Sequence, residues 1–390
     1  MKYKIILTFV STYLPGFKSG GPVRSLSNIV DALGKEYKFY IVTSDRDSGD
    51  VTPYDGIITD RWIVNGDAMV YYSSPSKWNL KSCKKLLIET PHDIIYFNSL
   101  FSPLFTLLPL LVNKWVIKSK KPVIIAPRGE LSPGALQFNF LKKKLFIIAA
   151  KILELYKNIN WQASSREETI FIKQHFGISA LICIAQNIPE PVAPLIYYNE
   201  KSLEDRHLRV VFLSRIVPKK NLSYVLAILS KINCPIQFDI WGTKEDEKYW
   251  KLCEQLINKL PNNVIVKYQG LADHSKVNKI LSKYDLFFFP TLGENYGHVI
   301  AESLSAGTPV LISDQTPWRN LKDFGVGWDI SLNKEKEFVN AIYEANEKVK
   351  NNSSNWREKV HGYAIFYLTD ESIVQANRIL FQQSLYLNIE

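Results

Sequence analysis

"PTLGENYGHVIAESLSAGTPVLIS", residues 290–313, sets two acids, Glu294 and Glu302, into an otherwise apolar stretch with seven residues between them. The preceding run, DLFFFPT, reads as a buried strand, LGENYG as a loop, HVIAESLSA as a helix closed by Gly307, and PVLIS as the next strand. Strand, loop, helix and strand in that order form a parallel crossover. Ligands of such sheets bind outside the C-terminal ends of the strands. Glu294 therefore falls in a loop at the ligand-binding edge, and Glu302 lies in the helix past its first turn. The loop offers carboxylates for hydroxyl groups, and the backbone amides of Asn295, Tyr296, Gly297 and His298 at the helix N-terminus suit an anion. A solvated helix face for Glu302 and a helix-dipole partner for Glu294 are the plainer alternatives.

The same alternation continues on both sides of this stretch. LRVVFLSR, IQFDIWG and NVIVKYQG are apolar strand candidates separated by the helical patterns NLSYVLAILSKI and YWKLCEQLINKL. Nearer the start, KIILTFV, KFYIVTS, DIIYFNS and PVIIAPR are apolar without the alternation of a half-exposed sheet, as parallel strands buried on both faces should be. The expected fold class is α/β: two Rossmann-like, doubly wound domains facing a cleft. The expected limits are residues 1–187 for the first domain, a proline-rich linker at 188–207, and 208–365 for the second domain. The helical tail 366–390 is expected to pack back on the first domain.

Composition narrows the class. A chain of 390 residues, 46% hydrophobic and 22% charged, has material for two cores and is unlike a disordered chain. The four cysteines show no metal-ligand spacing and read as reduced core thiols. The opening MKYKIILTFV is read as a buried strand rather than a signal peptide. The most apolar segment, FSPLFTLLPLLVNKWVIKSKK, is interrupted by Pro109, Asn113 and Lys114 and falls short of the roughly 18 to 20 apolar residues of a membrane span. It is read as a core helix. The net charge of +10 is uneven, since residues 114–157 hold ten Lys or Arg against two Glu. An anionic partner follows: a nucleic acid, a phosphorylated substrate or an acidic membrane.

Two further loops carry chemistry. In YLPGFKSGGPVRSL, Gly20 and Gly21 let backbone amides approach a phosphate at a helix N-terminus. The dinucleotide fingerprint GxGxxG is absent, and Pro22 stands where a P-loop needs Lys. A tight turn is the alternative. In LSRIVPKKNL, Arg215 ends a strand and Lys220 follows five residues on. Two cations at a strand C-terminus suit a diphosphate, although loop cations are often merely solvated.

At these residues the chain resembles the retaining nucleotide-sugar glycosyltransferases of family 4, of the two-domain GT-B fold. GENYGHVIAESLSAGTPV is similar to their E-x7-E pattern, and SRIVPKKNL to their Arg–Lys diphosphate clamp. The resemblance covers the C-terminal domain well and the N-terminal domain in outline. It implies that Glu294 contacts the donor sugar near the reacting carbon and Glu302 the ribose hydroxyls. Arg215 and Lys220 then stabilise the departing diphosphate, helped by amides near Gly20–Gly21 and Gly297–His298. Retention by front-face attack, with no metal or cofactor beyond the UDP- or GDP-linked donor, is implied too. The loop APRGELSPGAL is placed on the acceptor side, with Arg128 and Glu130 as candidates; a structural Arg–Glu pair is the equal alternative. Asp45 and Asp47 resemble the metal-binding DxD of the other large glycosyltransferase fold, but no partner carboxylates are in view.

The expected function is transfer of a hexose-type sugar to a glycan or lipid-linked oligosaccharide in bacterial surface-polysaccharide synthesis. A nucleotide-sugar epimerase or phosphorylase of the same fold is the alternative. A basic nucleic-acid-binding protein is the rival from another class, and no nucleic-acid-binding motif supports it. Within residues 137–157, Leu141, Leu145, Ile148 and Ile152 form an apolar stripe beside Lys142–Lys144, as an interfacial helix on the inner, anionic face of the cell membrane requires. Phe146 and Ile147 fall outside the stripe.

Overall fold

A computed structural model describes residues 3–137, 140–197 and 207–386. The chain divides into two compact units, one of Met1–Ile188 with Glu371–Glu390 and one of Pro189–Asp370.

The first unit is built on β1 (Lys4–Phe9), β2 (Tyr37–Ser44), β3 (Trp62–Asn65), β4 (Ala68–Ser73), β5 (Ile94–Phe97), β6 (Val123–Ile125), β7 (Asn160–Ala163) and β8 (Leu181–Ile184). They form one sheet in the order β3-β4-β2-β1-β5-β6-β7-β8. Every neighbouring pair is parallel except β3 with β4. Successive residues of a strand point to opposite faces. Ile95 and Phe97 of β5 join one core cluster, whereas Ile94 and Tyr96 join the other. Both faces are covered, which is why the strand reads as a continuous apolar run.

The second unit holds β9 (Leu208–Leu213), β10 (Ile236–Trp241), β11 (Val264–Gly270), β12 (Leu286–Phe289), β13 (Val310–Ser313) and β14 (Gly327–Ile330). Its order is β11-β10-β9-β12-β13-β14, parallel throughout. The chain winds outward from β9 in one direction and from β12 in the other. The switch point of the sheet therefore lies between β9 and β12, and in the first unit between β1 and β5. Both units are thus doubly wound α/β domains, as the sequence pattern predicts.

Four strands of the first unit, β3, β4, β7 and β8, and β14 of the second were not among those expected. Four of these five, β3, β7, β8 and β14, span only four residues, and β7 carries Asn160 and Gln162, so no long apolar run marks them. Pro103–Ile117 is helical, with wide π-type turns at both ends. The expected domain limit at residue 365 falls inside the helix Glu335–Leu368, and the second unit continues to Asp370. Of the expected linker, Pro189 to Tyr197 belong to the second unit, and residues 198–206 lie outside the described residues. No described helix is long and apolar enough to cross a membrane.

The last helix, Glu371–Tyr386, is part of the first unit, where Ile373, Leu380 and Phe381 join the core beside Ile6, Phe39 and Tyr96. Its fully buried Asn377 accepts a hydrogen bond from Gln162 Nε2 at 3.2 Å and donates to the Gln186 carbonyl at 2.8 Å. Gln162 also accepts from the Tyr96 hydroxyl at 2.5 Å. Truncating Asn377 leaves both Gln162 and the Gln186 carbonyl short of a partner, at about 1–3 kcal/mol for each buried group. Asn377→Ala should therefore lower stability in urea unfolding by about 3 kcal/mol. A variant within about 0.5 kcal/mol of the parent contradicts this account.

Candidate active site

The functional candidates of the second unit collect at its switch point. Arg215 and Lys220 follow β9, and Glu294 follows β12. The loops are joined through their backbones: Leu292 N–H donates to the Lys219 carbonyl at 2.9 Å, and Asn221 Nδ2 to the Pro290 carbonyl at 2.9 Å. Asn221 adopts φ 62°, a left-handed conformation that asparagine tolerates, and so turns the chain from the Pro218–Lys220 turn into the next helix. Gly242 is required at the end of β10, because a Cβ there would come within 1.8 Å of the Ser214 carbonyl oxygen.

Lys220 and Glu294 meet directly. Lys220 Nζ lies 2.6 Å from Glu294 Oε1, with both side chains 13% exposed. Thr291 Oγ1 donates to the same oxygen at 2.9 Å, and the Glu294 amide is held by the Gln315 carbonyl at 3.0 Å. Lys220 also sits 5.3 Å above the centre of the Phe289 ring. Burial pushes the Glu294 carboxyl up. The charges of Lys220 and Lys219 and the hydrogen bonds from Lys220 and Thr291 outweigh it and hold the acid below the ordinary carboxylate range. Arg215 is more open and pairs with Glu245 at 3.3 Å, so an arriving anion competes with Glu245 for this cation.

The helix His298–Ser305 starts beside this pair. Gly297, at φ 83°, is its N-terminal flank, and no side chain caps the helix. A Cβ at Gly297 would also press on Ile300 Cδ1 at 2.8 Å. Its first turn contains no acid. The Tyr296 side chain is buried against His298 and Trp318, and its carbonyl accepts from Trp318 Nε1 at 2.6 Å, so any part it takes in an anion site falls to its backbone amide. Its role here is to hold the loop. Asn295 and His298 are half-buried, as is Glu302, which lines a separate small pocket with His298.

In the first unit Gly20, at φ 65°, flanks the helix Gly21–Leu33, which again has no side-chain cap and no acid in its first turn. The space where a Cβ of Gly20 would stand is open to 4 Å. The sequence reading missed what holds this loop. Asp47 accepts from the amides of Phe17 at 2.7 Å, Lys18 at 3.0 Å and Ser48 at 2.7 Å. Asp45 pairs with Arg46 at 2.7 Å. The DxD acids are thus engaged in building the loops.

The acceptor-side candidates are likewise engaged. Arg128, at φ 53°, donates to Tyr96 Oη at 2.6 Å, to Asn98 Oδ1 at 2.9 Å and to Asn187 Oδ1. Glu130 accepts from Ser99 Oγ at 2.8 Å and from the amides of Leu100 at 2.6 Å and Phe101 at 3.2 Å. Burial raises its pKa despite these bonds and the Lys143 charge. Arg128 and Glu130 make no ion pair with each other among the described contacts. Each fixes the turn after β5 from a different side.

The ion pair fixes a pH dependence. A carboxyl depressed in the folded state adds stability above its unfolded pKa, about 4.3, and loses it as pH falls through the folded value. Lys220→Met leaves burial opposed mainly by Lys219, so the Glu294 pKa should rise. The variant should lose about 3 kcal/mol at neutral pH, and the deficit should shrink toward about pH 5 as the acid takes a proton. Lys220→Met with Glu294→Gln should regain most of the loss. Urea unfolding at both pH values checks this; equal deficits at the two exclude it.

Comparison with known proteins agrees with the fold class. Residues 198–360 match the family model described as glycosyl transferases group 1. No curated protein sequence matches the chain. Among solved structures, HepE from Anabaena in complex with UDP and glucose is similar at 15% identity and a TM-score of 0.67, covering 98% of this chain and 100% of that one. Sucrose-phosphate synthase from Thermosynechococcus elongatus matches at 14% identity and a TM-score of 0.70, over 99% and 100% of the chains. WaaG, a glycosyltransferase involved in lipopolysaccharide biosynthesis, matches at 14% identity and 0.64, over 96% and 99%. The fold is that of the GT-B glycosyltransferases, and the group 1 model lies over the unit that carries the Lys220–Glu294 pair.

Proposed function

We propose that the protein is a retaining, metal-independent glycosyltransferase that moves a hexose-type sugar from a nucleotide-sugar donor to a lipid-linked glycan of a surface polysaccharide. The observation that carries this reading is the buried Lys220–Glu294 pair at the switch point, beside Arg215 and an uncapped helix N-terminus. A sugar diphosphate needs both kinds of group. Arg215, Lys220 and the helix amides offer positive charge where the leaving diphosphate gains negative charge. Glu294 stays ionised near the sugar carbon where positive charge develops. With cations and amides neutralising the phosphate, its oxygen takes the acceptor proton as the glycosidic bond breaks and the new bond forms on the same face. Of the solved structures named above, HepE is in complex with UDP and glucose and WaaG is involved in lipopolysaccharide biosynthesis, which supports the donor and acceptor class.

The membrane assignment rests on the helix Phe140–Ile152. Ile147 and Ala150 enter the core, and Phe146 packs against Phe101 and Tyr156. The opposite face is also apolar: Leu141 is 72%, Leu145 67%, Ile148 45% and Ile152 76% exposed. Lys142 and Lys144 flank that stripe in solvent. A core helix needs no second apolar face. An interfacial helix does, and its lysines add about 1 kcal/mol each on an anionic leaflet. Residues 138 and 139 of the proposed segment lie outside the described residues.

A thermal-shift panel of UDP, GDP, CDP and their sugars tests the donor class, since a ligand at 100 times its Kd adds about 2.7 kcal/mol. With the donor in hand, Glu294→Gln should lower kcat on the order of 10²-fold, as for one lost preorganised contact. Glu302→Gln should mainly raise KM, and transfer should survive EDTA. A wild-type kcat in Glu294→Gln makes that acid a mere donor hook, and a Mg²⁺ or Mn²⁺ requirement overturns the metal-independent mechanism.

Anionic vesicles at low salt should bind the protein, and Lys142–Lys144→Glu should weaken binding more than tenfold, the solvent-facing Lys142 and Lys144 alone being worth about 1 kcal/mol each. Unchanged sedimentation with vesicles removes the membrane assignment.

A further inference from the structure

The pocket lined by Glu302 contains two residues that the motif does not include. Glu190, in the segment just after Ile188, places Oε1 3.1 Å from His274 Nε2. One ligand-type atom from each of Glu190, His274 and Glu302 lies within 4.8 Å of the other two. All three are half-buried and line one pocket of about 210 Å³, with His298, Asn278 and Ser305. Separate devices hold these residues in place. His274 opens a short helical turn whose preceding residue, Asp273, accepts from the amide of Ser275 at 3.0 Å. The Glu190 segment is tied down by Ala193 N–H, which donates to Ser305 Oγ at 3.3 Å.

Two carboxylates and an imidazole so close together suit either a divalent cation or a pair of hydroxyl groups. The His274–Glu190 contact favours hydroxyls. Nε2 is engaged with the Glu190 carboxylate at 3.1 Å, and a ring nitrogen that donates a hydrogen offers no lone pair to a cation. The carboxylates remain acceptors, which is what a vicinal diol needs. The pocket is smaller than the 300–1,000 Å³ typical of a drug-sized ligand, so it suits one ring rather than a whole nucleotide sugar.

We infer that Glu190 and Glu302 together accept the two hydroxyls of the donor ribose, and that His274 is the positioning residue that orients Glu190. The enzyme then selects ribonucleotides over 2′-deoxyribonucleotides through a residue outside the E-x7-E pattern. This rests on the nucleotide-sugar reading above.

Isothermal titration of UDP and GDP against their 2′-deoxy and 3′-deoxy counterparts tests it. Wild type should bind at least one deoxy form about tenfold more weakly than the ribo form, the worth of one hydrogen bond to a charged group. Glu190→Gln should weaken the ribo form and leave that deoxy form nearly unchanged, so the ratio collapses. His274→Ala should narrow the ratio in the same way, with His274→Gln restoring part of it by offering a donor to Glu190. Wild-type ratios in both Glu190→Gln and His274→Ala overturn the inference while leaving the nucleotide-sugar reading in place. Failure of every nucleotide to bind wild type overturns that reading itself. A parallel titration with ZnCl₂ that shows stoichiometric binding, lost in His274→Ala, makes the cluster a metal site and also overturns the inference.

Discussion

A nearly buried acid next to a nearly buried lysine is the constraint around which the second unit is organised. Neither Lys220 nor Glu294 is stable alone at that depth, because the desolvation of an unpaired ion exceeds what its hydrogen bonds return. Together they are tolerated, provided the loops after β9 and β12 stay in register. The bonds from Leu292 to Lys219 and from Asn221 to Pro290 keep that register. Gly242 lets the neighbouring loop approach the Ser214 carbonyl, and Gly297 lets the helix begin where it does. The pair thus depends on backbone features that bear no charge.

The pairing also accounts for the chemistry proposed here. A lysine held against a carboxylate is a cation already dehydrated and oriented, so little reorganisation is needed when a phosphate arrives. Arg215 differs. Its partner Glu245 is exposed, and surface pairs of this kind contribute at most about 1 kcal/mol. One cation is therefore fixed and the other exchangeable, a division suited to a site that must bind a diphosphate and then release it.

In the first unit the charged side chains do a different job. Asp47, Arg128 and Glu130 lie at or near the strand C-terminal edge, where ligand contacts are expected, yet each is engaged with loop backbone or with buried side chains. Loops that follow parallel strands need such internal partners, since their amides have no ladder to join. Arg128 reaches Asn187, next to the residue at which the chain leaves this unit. The helix Phe140–Ile152 adds the opposite feature, an apolar face left exposed among the described residues. Its inward side accounts for the core and its outward side does not, and the surplus of exposed leucine and isoleucine beside lysines is what the membrane proposal explains.

The sequence by itself determined the fold class and the place of the candidate site on the sheet. Apolar runs without alternation, repeated between helical patterns, are what parallel strands buried on both faces leave, and a strand, a loop and a helix in succession put Glu294, Arg215 and Lys220 after strand C-termini. Short strands such as β7 were not legible, because a buried Gln162 becomes acceptable in a sheet only once Tyr96, the Ala185 carbonyl and Asn377, more than two hundred residues later, supply hydrogen-bond partners. Which charges face a ligand and which face the protein was also undecided. Glu130 looks like a site residue by position, yet three hydrogen bonds engage it. Glu190 and His274 carried no motif at all. They meet Glu302 because the tertiary fold brings three distant segments into one pocket, and proximity of that kind has no period or spacing in the chain from which to read it.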